Sequence, residues 1–265
     1  MADLQQAFMS LPPITRSLLA LTAGVTIPPL LGLVKPYAIV FYWPAIRYKY
    51  QLWRLISPFF YAGSGLSALF NVFFLFRTSR DLEEGVYRGR TADLAWALTV
   101  MGSSIIALNY PLKSMIFFRP FLLALTHLWA QFSPEQPMNL YGFVTIPAKY
   151  LSYALLLMDL LQGGVPVVME GLTGIISAHL FHYLTEVYPV ANPSARRLLD
   201  TPVWFRRLFG ESGAAGPGAR RERSVGGVTR IEPLRRGGAG VSSGTAASTT
   251  GSSGRNWGSG RRLGD

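Results

Sequence analysis

Six apolar stretches, each 17 to 23 residues long, fill most of the first 190 residues and leave few options for the fold. They cover residues 17–34, 57–76, 92–108, 116–132, 143–161 and 165–187. A helix needs about 20 mostly apolar residues to cross the ~30 Å hydrocarbon core of a bilayer. Several of these stretches are shorter or more polar than an independent span, so they are expected to survive by packing on each other in a bundle. The predicted class is therefore an all-α membrane protein with six transmembrane helices.

Punctuation residues set the expected ends. Pro28-Pro29 interrupts the first stretch, Ser57-Pro58 offers a helix start to the second, and Thr91 is placed to cap the third. Gly163-Gly164 separates the last two. Arg119 lies near one end of its stretch, where it can snorkel to the interface. Asp159, Glu170 and Glu186 are also close to span ends and are expected to reach the interface.

Charge is distributed very unevenly. Only 15% of the chain is charged, against about 25% in an ordinary soluble domain. Of the net +11, residues 196–265 contribute +8, from 13 Arg and 5 acidic residues. Fifteen of the 27 Gly lie between residues 210 and 264. The division is a membrane body over residues 1–190 and a basic, Gly-rich tail over 191–265. The tail's composition cannot bury enough surface to offset chain entropy, so it is expected to be largely disordered. Aromatic interleaving is almost absent from it, which argues against a nucleic-acid partner.

Cysteine is absent, which removes disulfides, thiolate metal sites and a Cys nucleophile. The first 16 residues lack a basic n-region, so a cleaved signal peptide is not expected. An even number of spans puts both termini on one side. The four Arg of residues 77–90, the 13 of the tail and Arg16 place that side in the cytosol. The segment 35–56 then faces the other way, and its mixture of Tyr, Trp and basic residues suits an interfacial position.

Particular motifs resemble those of one family. Leu11-Pro12-Pro13-Ile14-Thr15-Arg16 precedes the first span, and Gln51-Leu52-Trp53-Arg54-Leu55 precedes the second. Asn71-Val72-Phe73-Phe74-Leu75-Phe76-Arg77 is followed by Leu82-Glu83-Glu84-Gly85, and Gly174 and His179 occupy the last span. In order and spacing these resemble derlins, rhomboid-fold pseudoproteases of the endoplasmic reticulum (ER), over about residues 5–205. The resemblance implies a rhomboid-like bundle and identifies Trp53-Arg54 with the family's Trp-Arg pair of the first lumenal loop. There Trp53 would anchor at the interface and Arg54 would bind backbone carbonyls or lipid phosphate, fixing the loop.

In the last span Gly171, Gly174, Ala178 and His182 share one helical face, and the three small residues allow a close helix approach. The family pattern is Gly-x-x-x-Gly, where this chain has Gly174-x-x-x-Ala178. His179 follows Ala178 as the catalytic His follows Ala in active rhomboid proteases. A base needs its nucleophile within hydrogen-bond reach. Residues 121–126 offer no Gly-x-Ser-Gly motif, and Gly251-Ser252-Ser253-Gly254, which has that form, falls in the tail. His179 is accordingly expected to pack in the bundle. Asn71, His179 and His182 either line a hydrated cavity together or act separately as interhelical hydrogen bonders.

The chain ends in Trp257-Gly258-Ser259-Gly260-Arg261-Arg262-Leu263-Gly264-Asp265. Trp257, Gly258, Gly260, Leu263 and Gly264 resemble the derlin SHP box, which recruits the cytosolic AAA ATPase segregase (valosin-containing protein). Trp257 and Leu263 would fill pockets while the Gly residues permit an extended path. What the resemblance implies is a non-catalytic protein of ER-associated degradation, supporting retrotranslocation of misfolded ER proteins. Its partners would be the segregase, a membrane-embedded ubiquitin ligase complex, other derlins and the lipid bilayer. No cofactor is expected, since no nucleotide motif is present. The alternatives are an active rhomboid-type intramembrane serine protease and a small transporter.

Overall fold

The computed structural model describes residue 6 and residues 8–140, 144–192 and 199–210. The architecture is an all-α bundle of six helical rods with one short hairpin. α1 (Pro13–Leu30) starts on a proline, whose fixed φ suits the first helical turn. It runs through Pro28-Pro29 rather than breaking there. Two prolines in the last turn forfeit only two donors of the ladder, and the helix ends one residue later, before Gly32 at φ +71°.

Residues 31–64 form an ordered excursion containing the short helix α2 (Trp43–Lys49) and three single 3₁₀ turns. Ser57-Pro58 opens the third of these turns and not a long helix. The chain then passes Gly63 and Gly65, at φ +94° and +67°, a backbone that only glycine adopts without strain. α3 (Gly65–Asp81) therefore begins eight residues later than the apolar run suggests. It continues as a π turn over Leu82–Tyr87.

α4 spans Thr91–Asn109, so Thr91 is its first residue and Arg90 takes the capping position. α5 (Phe118–Phe132) has 12 of its 15 residues buried, which makes it the central helix. A hairpin follows, β1 (Pro137–Leu140) against β2 (Val144–Pro147), antiparallel with Asn139 opposite Thr145. The fifth rod thus begins at Ala148, because residues 144–147 are committed to β2.

α6 (Ala148–His182) is two rods joined at one residue, Gly164, at φ +71° and ψ −166°. The arms fold back on each other: a Cβ on Gly171 would meet the Leu156 methyl at 2.9 Å. A π turn (Tyr183–Val187) leads into α7 (Tyr188–Ala191). α8 (Val203–Leu208) follows, within the stretch assigned to the tail, and it packs on α4.

α4 is long and apolar enough to cross a membrane, and the 148–191 stretch, folded back at Gly164, is equally apolar. At 15 residues α5 reaches only about 22 Å at 1.5 Å per residue. The outer surface is apolar as well: Leu66, Leu69 and Leu161 are 68%, 68% and 73% exposed. Such a contiguous apolar face suits lipid rather than water. The bundle has two ends. One, the loop end, carries residues 31–64, 110–117 and Gly164; the other, the turn end, carries residues 82–90, the hairpin and the described residues 183–192 and 199–210.

Candidate functional site

Three arrangements of polar or small residues stand out in the bundle. The first fixes the loop. Arg54 is 5% exposed and donates to the backbone carbonyls of Tyr37 and Val40, both at 2.8 Å, and to Gln51 Oε1 at 2.6 Å. Its guanidinium also lies over the Tyr37 ring at 5.4 Å. One buried cation thus satisfies acceptors that an irregular loop would otherwise leave open. Trp53 beside it points outward, 57% exposed, among Tyr37, Trp43, Tyr48 and Tyr50. An aromatic column of Phe41, Phe117, Phe59 and Phe121, with centroids 5.1 to 5.7 Å apart, ties the loop to the start of α5.

The second is the seam between α5 and the later arm of α6. Gly171, Gly174 and Ala178 are all buried here. A Cβ on Gly174 would fall on the Pro120 carbonyl, so the two backbones touch at that residue. At Gly171 the added atom would press on the flexible ends of Leu123 and Leu156 and touch Asp159 Oδ2 at an ordinary 3.6 Å. Ala178 is fully buried with its methyl in place, so the closest approach is a one-residue matter. Asn109 of α4 donates to Thr173 Oγ1 at 2.6 Å, and Ser177 donates to the Met101 carbonyl at 2.9 Å. His179 is exposed on the outer side of this arm, and its ring lies 5.9 Å from that of His127. His182 packs on Phe132 at 5.2 Å.

The third arrangement was not among the expected sites. Arg119 does not snorkel and Asp159 does not reach the interface: they pair inside the bundle at 2.6 Å, with side chains 17% and 6% exposed. Arg119 Nη1 also donates to Asn71 Oδ1 at 2.9 Å, and Asn71 Nδ2 donates to the Ala62 carbonyl at 3.0 Å. Asp159 Oδ2 is buried without a hydrogen-bond partner. These three side chains floor an open cleft of about 880 Å³ at the loop end, walled by Leu66, Phe70 and Met158. Asn71 is therefore remote from His179 and His182, which sit toward the turn end. The three do not share a cavity.

At the turn end, Glu83 is 3% exposed and accepts from Ile14 N–H, Thr15 N–H and Thr15 Oγ1 at 2.8, 2.7 and 2.9 Å. A carboxylate from the turn after α3 caps the first turn of α1, where free N–H groups and the helix dipole favour negative charge.

Residues 11–203 match the Der1-like family. The chain belongs to that family. It is similar to Derlin-1 of Arabidopsis thaliana, 33% identical over 234 residues, covering 80% of this chain and 85% of that protein. It is 31% identical to Derlin-1 of Homo sapiens over 271 residues, the full length of both. Derlin-1.2 of Zea mays is 27% identical over 242 residues, 84% of this chain and 98% of that protein. The derlin motifs at residues 11–16, 51–55, 71–77 and 82–85 thus lie in the matched region, which ends before the tail motif. Trp257, Gly258, Gly260, Leu263 and Gly264 lie outside the described residues.

Proposed function

We propose that this derlin is a non-catalytic component of ER-associated degradation. It passes misfolded proteins across the ER membrane and brings the cytosolic segregase to them through its terminal motif. In this reading both termini face the cytosol, so the turn end is cytosolic and the loop end lumenal. The observation that supports it best is the loop-end cleft: apolar walls over a charged floor, all within a membrane bundle. A client segment entering from the lipid exposes backbone N–H groups that hydrocarbon cannot satisfy. The floor of Asn71, Arg119 and Asp159 offers polar partners for such groups. The short α5 is consistent with a locally thinned bilayer, which would shorten the crossing. Further partners on this reading are a membrane-embedded ubiquitin ligase complex and other derlins.

A serine protease would need a hydroxyl at hydrogen-bond distance from His179. The ring contact recorded there is with His127, so the geometry does not favour that alternative. The test is the half-life of a misfolded ER membrane client in cells lacking their own derlins and supplied with the full chain. Asn71→Ala and Trp257→Ala are each expected to lengthen it, the second with loss of segregase co-purification. Unchanged turnover in both, with normal expression, would overturn the proposal.

A further inference from the structure

α8 has two faces of different character. The inner face is docked: Phe205 lies 5.3 Å from the Trp96 ring of α4, and the edge of the outer Trp204 comes within 6.5 Å of it. Arg206 pairs with Asp93 at 3.2 Å, and Phe205 stacks near Phe209 at 5.4 Å. The outer face is bare. Val203, Trp204 and Leu208 are 67%, 61% and 72% exposed, with Arg207 exposed beside them. A six-residue helix alone in water is not stable, and three large apolar groups on its open side add a cost if water covers them.

We infer that α8 is a membrane-surface anchor: its outer face lies in the headgroup–acyl boundary of the bilayer at the turn end. The depth of the dock argues for this. α4 is a spanning helix that begins at Thr91. Trp96 is five residues inside it, about 8 Å along the axis at 1.5 Å per residue. Interfacial helices bury their apolar face to a depth of about 5–10 Å. A helix clamped on Trp96 is therefore held at that depth by protein contact. Charge agrees with lipid. Arg206 and Arg207 end the helix, and Arg88 and Arg90 lie in the turn just before α4. Arg side chains among anionic headgroups with Trp at the boundary form a familiar interfacial composition.

The absence of cysteine allows a clean test. A nitroxide is attached at Leu208→Cys in the full chain, reconstituted in vesicles of phosphatidylcholine with a minority of phosphatidylserine. Collisions with oxygen, which partitions into lipid, are compared with those of a water-soluble nickel chelate. The ratio at 208 is expected to exceed several-fold that of the same label at Ser243→Cys in the tail. Adding Asp93→Asn and Trp96→Ala is expected to move the 208 label toward the tail value. A label at Leu69→Cys, on the outer face of α3, should keep its lipid signature and so report an intact bundle. A 208 label that matches the tail from the outset overturns the anchor. So does one shielded from both reagents, which would mean that protein covers this face. An unchanged 208 label in the double variant overturns the role of the α4 clamp.

Discussion

The two seams of α6 solve the same problem in opposite ways. Against α5 the later arm closes by backbone contact, with Gly174 on Pro120 and apolar side chains filling the rest. Against α3 the earlier arm leaves an open cleft and bridges it with the Arg119, Asp159 and Asn71 network. Where two helices carry small residues face to face, dispersion contacts suffice and polar groups are unnecessary. Where they stand apart, a network centred on Arg119 of α5 joins them, with the ion pair to Asp159 on one side and a hydrogen bond to Asn71 on the other. The ion pair adds little net stability, because desolvation offsets most of the attraction, but it penalises any arrangement that separates the partners.

Substitutions can break this contrast at several levels. Gly174→Val places a side chain into a backbone carbonyl, where nothing flexible can yield. It is expected to cost more than about 4 kcal/mol and to abolish cooperative unfolding in detergent. Arg119→Leu alone strands the Asp159 carboxylate and should lower stability by about 3–5 kcal/mol in a denaturant titration. The double variant Arg119→Leu with Asp159→Leu should recover most of that loss, while Gly174→Val has no such partner rescue. Glu83→Ala removes the acceptor of three hydrogen bonds and is expected to cost about 2–3 kcal/mol in the same titration. Gly171→Ala presses only on the movable ends of Leu side chains and should change stability by less than about 1 kcal/mol. Smallest of all, Glu84→Ala breaks the half-exposed pair with Arg80 and should shift stability by no more than about 0.5 kcal/mol.

The positions of the rods were legible in the sequence because lipid demands long apolar runs, and Gly163-Gly164 marked the reversal between the last two. Their ends were less so. Pro28-Pro29 reads as a break in a linear pattern, yet it sits where a helix is about to stop anyway. Ser57-Pro58 carries a start signal that only a single 3₁₀ turn uses. The ion pair was missed for a different reason: Arg119 and Asp159 are 40 residues apart and each looked like a span-end residue. Depth arithmetic would have paired them. Adjacent antiparallel helices level the start of one with the end of the next, so an Arg just inside the fourth span faces an Asp just before the end of the fifth. Of the small-residue stripe, the pattern identified the face but not that Gly174 alone makes backbone contact. α8 was absorbed into the tail because its six residues carry no periodic signal; the Trp96 dock that orders it is a tertiary contact.

The one-residue joint at Gly164 has a mechanical corollary. The two arms of α6 behave like a pair of dividers pivoted at the loop end, the end where the cleft lies. Arms joined at the pivot cannot part there, so any widening of the cleft falls to its other wall. That wall is α3. Its near end hangs on the left-handed Gly63 and Gly65, and its far end is moored through Glu83 to the start of α1.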